Sequence, residues 1–171
     1  MKMIVLVAAG LAVVSSLNAA SAQSLDRDRN AQPISPNATT SPLITLYAVS
    51  GVVDLDYSAG INIATSFLCT NFSPVAERIR LQLFNYNGNT LYSSVFQVNR
   101  LQTITMSTHS TELFADDVNT ATRAINQGSA IISGTSNAIH CSAMIVDAVA
   151  RTAQGISLHM VRFNPRPGTS E

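Results

Sequence analysis

Two small acidic groups, three histidines and two cysteines are the residues of this chain with most chemistry to offer. Asp54 and Asp56 alternate along one expected strand face just before a turn. There, two carboxylates and turn carbonyls could hold calcium, although a solvated strand end is the plainer expectation. Glu112 and Asp116, with Asp117 beside them, would be neighbours on a helix. A carboxylate pair is what glycoside hydrolysis requires, but nothing in the sequence fixes a separation that would set the mechanism. No nucleophile elbow, phosphate-binding Gly-rich loop or HExxH helix appears, and Ser136 and Ser142 lie in no activating motif.

The histidines are His109, His140 and His159. A copper site of the cupredoxin kind needs Cys, His and Met a few residues apart, with another histidine upstream. Met144 follows Cys141 and Met160 follows His159, but no histidine stands just after Cys141. His140 and Cys141 also point to opposite faces of a strand. The expectation is therefore scattered surface histidines, with no catalytic, cofactor-binding or metal residue assigned and no cofactor.

Cys69 and Cys141 are the only thiols. Ile61, Ile63, Phe67 and Cys69 share one parity of an extended strand, as do Ile139, Cys141, Ala143 and Ile145. Both sulfurs should point into a core, where strands on facing sheets would bring them together as a disulfide. Closing that loop removes about 4 kcal/mol of unfolded-state entropy in the simple chain model.

The compartment follows from the start of the chain. Met1-Lys2-Met3 precedes an apolar run from Ile4 to Leu17, and Ala20-Ser21-Ala22 supplies small residues for cleavage before Gln23. This predicts a signal peptide over 1–22, and an exported protein in the periplasm or outside the cell. The run is shorter than the ~20 apolar residues of a membrane span. No later segment is apolar enough to span, so no integral membrane association is expected after cleavage. Lys2 is the only lysine and leaves with the leader. The remaining arginines and acids nearly balance and are scattered, which gives no footprint for nucleic acid.

The elements that must position these residues read as strands and turns. Residues 23–42 form a polar, Pro-containing tail expected to be disordered, 43–163 one domain, and 164–171 a short polar end. Leu43 to Leu55 forms a strand bent at Gly51, and Ile61 to Asn71 the first cysteine strand. Arg78 to Tyr86 alternates, with Ile79, Leu81 and Leu83 inward and Arg78, Arg80 and Gln82 outward. Asn87-Gly88 signals a hairpin back through Leu91 to Val98. Thr103 to Ser107 follows a turn at Asn99-Arg100. Phe114, Val118, Ala121 and Ile125 carry helical spacing, which predicts a short helix. Gly128 to Ser133, the second cysteine strand to Asp147, and Ile156 to Phe163 complete an all-β fold of seven or eight strands in an antiparallel sandwich.

Cys69 and Cys141 on early and late strands resemble an immunoglobulin-like or fibronectin-type domain. So does Thr70-Asn71 leading through Pro74 into Ile79-Arg80-Leu81-Gln82-Leu83, with the Asn87-Gly88 hairpin and the Leu101 to Ser107 segment. The chain departs from true immunoglobulin domains in having no tryptophan and in placing Ile139 where a tyrosine corner would put tyrosine. It also resembles uncharacterised exported bacterial proteins, a likeness that implies the architecture and no activity.

Three functions fit. One is a non-enzymatic exported domain that recognises a protein or glycan, or joins an envelope or matrix assembly, through end loops or an open sheet edge. Another is carbohydrate or small-ligand binding, through Tyr47, Tyr57, Tyr86 and Tyr92 or calcium at Asp54 and Asp56. The third is a hydrolase using Glu112 and Asp116. Asn37-Ala38-Thr39 and Asn71-Phe72-Ser73 match the N-glycosylation sequon.

Overall fold

A computed structural model describes residues 41–57, 61–122, 124–152 and 154–163, the side chains of residues 56, 57 and 61 excepted. The predicted leader, most of the polar tail and residues 164–171 lie outside the described residues. Ten strands form: β1 (Ile44–Tyr57), β2 (Ile61–Asn71), β3 (Glu77–Asn85), β4 (Thr90–Val98), β5 (Thr103–Ser107), β6 (Asp117–Asn119), β7 (Ile125–Gly134), β8 (Ile139–Asp147), β9 (Gly155–Ser157) and β10 (Met160–Arg162). The fold is all-β, with no helix among the described residues.

The strands hydrogen-bond in two groups that share β1. In the first, β4 pairs β3, β3 pairs β7, β7 pairs β1, and β10 adds to the far side of β1. In the second, β8 lies between β9 and β2, while β2 pairs in turn with the end of β1 and with β5. All these pairs are antiparallel; β6 adds to β5 in parallel. β1 serves both groups because it is 14 residues long and bulged. Gly51 sits at φ +80°, a conformation that costs glycine nothing, and the register shifts between Ser50 and Val52.

The core draws on both groups. Ile79, Leu81 and Leu83 of β3 are fully buried beside Ile132 of β7, and they join Phe67 of β2, Met106 of β5 and Ile139 of β8 in one cluster. Burying each of these large side chains contributes about 1.5–3 kcal/mol. Tyr47 of β1 crosses between the groups, donating its hydroxyl to the Ile139 carbonyl at 3.2 Å. The period of two read over Arg78 to Tyr86 is the pattern found in β3.

Four expectations are corrected. The helix proposed within 109–125 is replaced by turns and β6. Side chains there capture the backbone N–H groups: Asp117 Oδ2 accepts from Thr111 N, Thr111 Oγ1 from Phe114 N, and Asn119 Oδ1 from Ala121 N. Such local bonding is why Asn, Asp and Thr disfavour helix interiors. The final strand is split, β9 joining β8 and β10 joining β1. The β3–β4 hairpin is wider than Asn87-Gly88 alone: Gly88 N bonds the Asn85 carbonyl and Asn85 Oδ1 accepts from Asn87 N and Asn89 N, with Gly88 at φ +78°. Finally, the cysteine strands are immediate neighbours and do not face each other across the core.

Candidate functional site

A disulfide joins Cys69 to Cys141, which stand directly opposite in the β2–β8 register with Cα atoms 4.1 Å apart. That separation suits a non-hydrogen-bonded antiparallel pair, whose side chains approach on one face. Cys69 is fully buried and Cys141 packs against the same core. The bond fits an oxidising compartment.

Asp54 does not end a solvated strand. It is fully buried, and its Oδ1 lies 2.6 Å from His109 Nδ1 while Thr122 Oγ1 donates to its Oδ2 at 2.7 Å. These residues come from β1, the loop after β5 and the loop before β7. A mesh of threonines holds them. Thr65 Oγ1 accepts from Val53 N and donates to the Val53 carbonyl, and Thr108 Oγ1 accepts from Thr65 N. Both oxygens of Asp54 are therefore engaged within the protein. The arrangement orients an imidazole, as in the first two members of a hydrolytic relay. His109 Nε2 is buried without a hydrogen-bond partner among the described residues, so no hydroxyl stands where a nucleophile would be activated. The cluster fastens loops together.

The other candidates stay apart. Glu112 is exposed and meets Arg151 at 3.3 Å, and Asp116 is exposed on a turn. Without a helix, the four-residue spacing no longer makes them neighbours. His140 is exposed with its ring edge-on to Phe72, centroids 5.3 Å apart, and His159 is exposed between β9 and β10. Among the described residues no group of three His, Cys, Asp or Glu could hold a metal ion. Tyr47 and Tyr92 pack in or against the core, and Tyr86 alone projects from the hairpin tip; the Tyr57 side chain lies outside the described residues, as does that of Asp56.

Asn71 of the second sequon is fully buried. Its Nδ2 donates to the Val75 and Val98 carbonyls, and its Oδ1 accepts from Ser73 N. A glycan on that nitrogen is incompatible with this packing. Asn71 also clasps the neighbouring turn, since Leu101 N bonds the Asn71 carbonyl and Asn71 N bonds the Gln102 carbonyl. Leu101 is held there at φ +59°, although it is exposed. The first sequon, at Asn37, lies outside the described residues.

The opposite situation holds on the face of the first group turned away from the core. Its rows can be read from the register: Gln97 of β4 beside Arg78 of β3; Val95 beside Arg80 and then Ser133 of β7; Ser93 beside Gln82, Ile131, Ala48 and Val161. None of these residues is acidic. Arg78 donates one Nη2 bond to the Ser41 carbonyl at 2.6 Å, and Arg80 Nη2 lies 3.5 Å from Ser133 Oγ. Neither arginine pairs with a carboxylate among the described residues, and each has a buried Nε without an acceptor. An unmet buried donor costs about 1–3 kcal/mol. Glu77, next to Arg78 in sequence, points to the other face and is satisfied by the hydroxyls of Ser73 and Thr135.

β4 borders these arginines and, among the described residues, is paired on one side only. Its nine residues, Thr90–Val98, contain no charge and no proline, and Leu91 and Val95 are exposed. Lysines, prolines and bulges usually protect such an edge; β4 has the register shift at Leu91, opposite Leu83 and Phe84, and neither lysine nor proline. Sequence reading placed Arg78, Arg80 and Gln82 outward but did not join them to an open edge. The signal available was the run from Tyr86 to Val98, which carries β-formers and no charge. The chain matches no protein-family model, and neither curated proteins nor solved structures gave a match.

Proposed function

We propose that the chain is an exported, non-enzymatic recognition or assembly domain of immunoglobulin-like character, and that it binds a polypeptide partner along the β4 edge. The carrying observation is β4 itself: nine uncharged residues hydrogen-bonded to β3 on one side, with Leu91 and Val95 exposed. An edge strand offers alternate N–H and C=O groups to another chain, so its natural occupant is an extended segment. The Cys69–Cys141 disulfide supports export, and the tail over 23–42 and the leader over 1–22 belong to the same reading. The polar cluster at Asp54 fastens the loops after β5 and before β7 to β1.

A photo-crosslinking residue introduced at Ser93 in the exporting cell should give a discrete adduct. The same group at exposed Glu112 should give none. Equal labelling from both positions, or none from Ser93, rejects the edge as the binding surface.

A further inference from the structure

We infer that the partner on the β4 edge is a second copy of this chain, its own β4 running antiparallel across a twofold axis at Ser94; this rests on reading β4 as the binding edge. Which backbone groups β4 offers follows from β3. Thr135 N donates to the Arg78 carbonyl at 3.1 Å and Arg78 N to Thr135 Oγ1 at 2.9 Å, so Arg78, and by alternation Arg80 and Gln82, turn their backbone groups to the β7 side. Ile79, Leu81 and Leu83 turn theirs to Phe96, Ser94 and Tyr92. Ser93, Val95 and Gln97 are left with N–H and C=O groups directed out of the sheet.

An antiparallel self-pair centred on Ser94 sets Ser93 opposite the second copy's Val95 as a hydrogen-bonded pair, and Tyr92 opposite its Phe96 as a closer, non-hydrogen-bonded one. Tyr92 and Phe96 lie against the core but stay only half-buried on the last strand of their sheet. Self-pairing covers both, aromatic on aromatic, a favourable cross-strand combination. A slip of one step either way would set one aromatic opposite serine. Charge points to the same partner. A twofold axis brings any charge beside it close to its own copy, and Thr90–Val98 carries none. The charges of β3 stay clear of the axis: Arg80 Nη2 reaches toward Ser133 Oγ, Arg78 Nη2 bonds the Ser41 carbonyl, and Glu77 is held on the inward face by Ser73 and Thr135.

Sedimentation velocity of the mature protein should show the mass rising from one chain toward two with concentration; a single-chain mass up to about 1 mM protein overturns the inference. Ser94→Cys should give a covalent dimer in oxidised glutathione, because the axis brings its two copies to about 4.5 Å at Cα. Cys69 and Cys141 already bridge such a pair at 4.1 Å. Gln97→Cys, on the same edge but far from the axis, should give none. Val95→Lys and Val95→Glu should each weaken dimerisation roughly tenfold or more, since their like charges meet diagonally across the axis, and mixing the two variants should restore it. A dimer that Ser94→Cys fails to cross-link, or that both Val95 variants leave unchanged, uses another surface and overturns the inference. A single chain that still gives the Ser93 photo-adduct, at a mass other than two chains, overturns self-pairing and leaves the edge reading standing. A single chain with no adduct overturns both.

Discussion

The two sides of the molecule treat polar groups in opposite ways. Around β2, β5 and β8 interior side chains are tied to one another, Cys69 to Cys141, Ser66 to Ser107, and Asp54 to His109 and Thr122, with His109 Nε2 the buried atom left without a partner among the described residues. Around β3 and β4, among the described residues, two arginines face outward without a carboxylate and a long edge is unpaired. Burying a charge unpaired is costly, and a folded chain has every reason to satisfy such groups where it can. Leaving Arg78 and Arg80 open while Glu77, one residue away, is satisfied by hydroxyls on the other face shows that strand geometry separates them.

The comparison can be broken most severely at the disulfide. Replacing both Cys69 and Cys141 with alanine should lower equilibrium stability by about 4 kcal/mol, since 72 residues separate them. Urea unfolding of parent and variant measures it; a loss below about 1 kcal/mol would show that the closed side does not depend on the bond. Asp54→Ala comes next. It leaves His109 Nδ1 without its acceptor and removes one of two from Thr122 Oγ1, and it should cost about 3 kcal/mol by the same measurement. Stability unchanged after that substitution would mean that the cluster is incidental to the fold.

Smaller and opposite in sign is Leu101→Gly. The Asn71 clasp holds Leu101 at φ +59°, so glycine should raise stability by about 1 kcal/mol, visible as a higher Tm. Smallest of all is Arg80→Gln on the open face, expected to move stability by no more than about 0.5 kcal/mol. A large loss there would show that the arginine is part of the framework, and the contrast between the sides would fail.

Strand content was legible where alternation was strict. Ile79, Leu81 and Leu83 against Arg78, Arg80 and Gln82 predicts both faces of β3, and Gly51 marks the bend of β1. Pairing of the cysteines was legible too, but not their relation: parity puts both sulfurs on core-facing sides without telling whether the strands face or adjoin. Asp54 and His109 could not be joined, because 55 residues separate them and no local pattern links a strand acid to a distant loop histidine. The helix failed because the apolar period at 114–125 was outweighed by the side-chain acceptors of Thr111, Asp117 and Asn119.

The clasp at Asn71 bears on how this protein is produced. A eukaryotic secretory pathway attaches sugar to an Asn-Phe-Ser site on the nascent chain, before a fold exists to hide it. Glycosylated Asn71 would keep a single N–H on Nδ2 and could then no longer donate to both the Val75 and Val98 carbonyls. Editing the site away is no remedy. Ser73 supplies a bond to Glu77, and a proline in place of Phe72 would forfeit its N–H bond to the Ala138 carbonyl. Expression in a bacterial periplasm, which forms disulfides without adding this sugar, keeps the clasp intact.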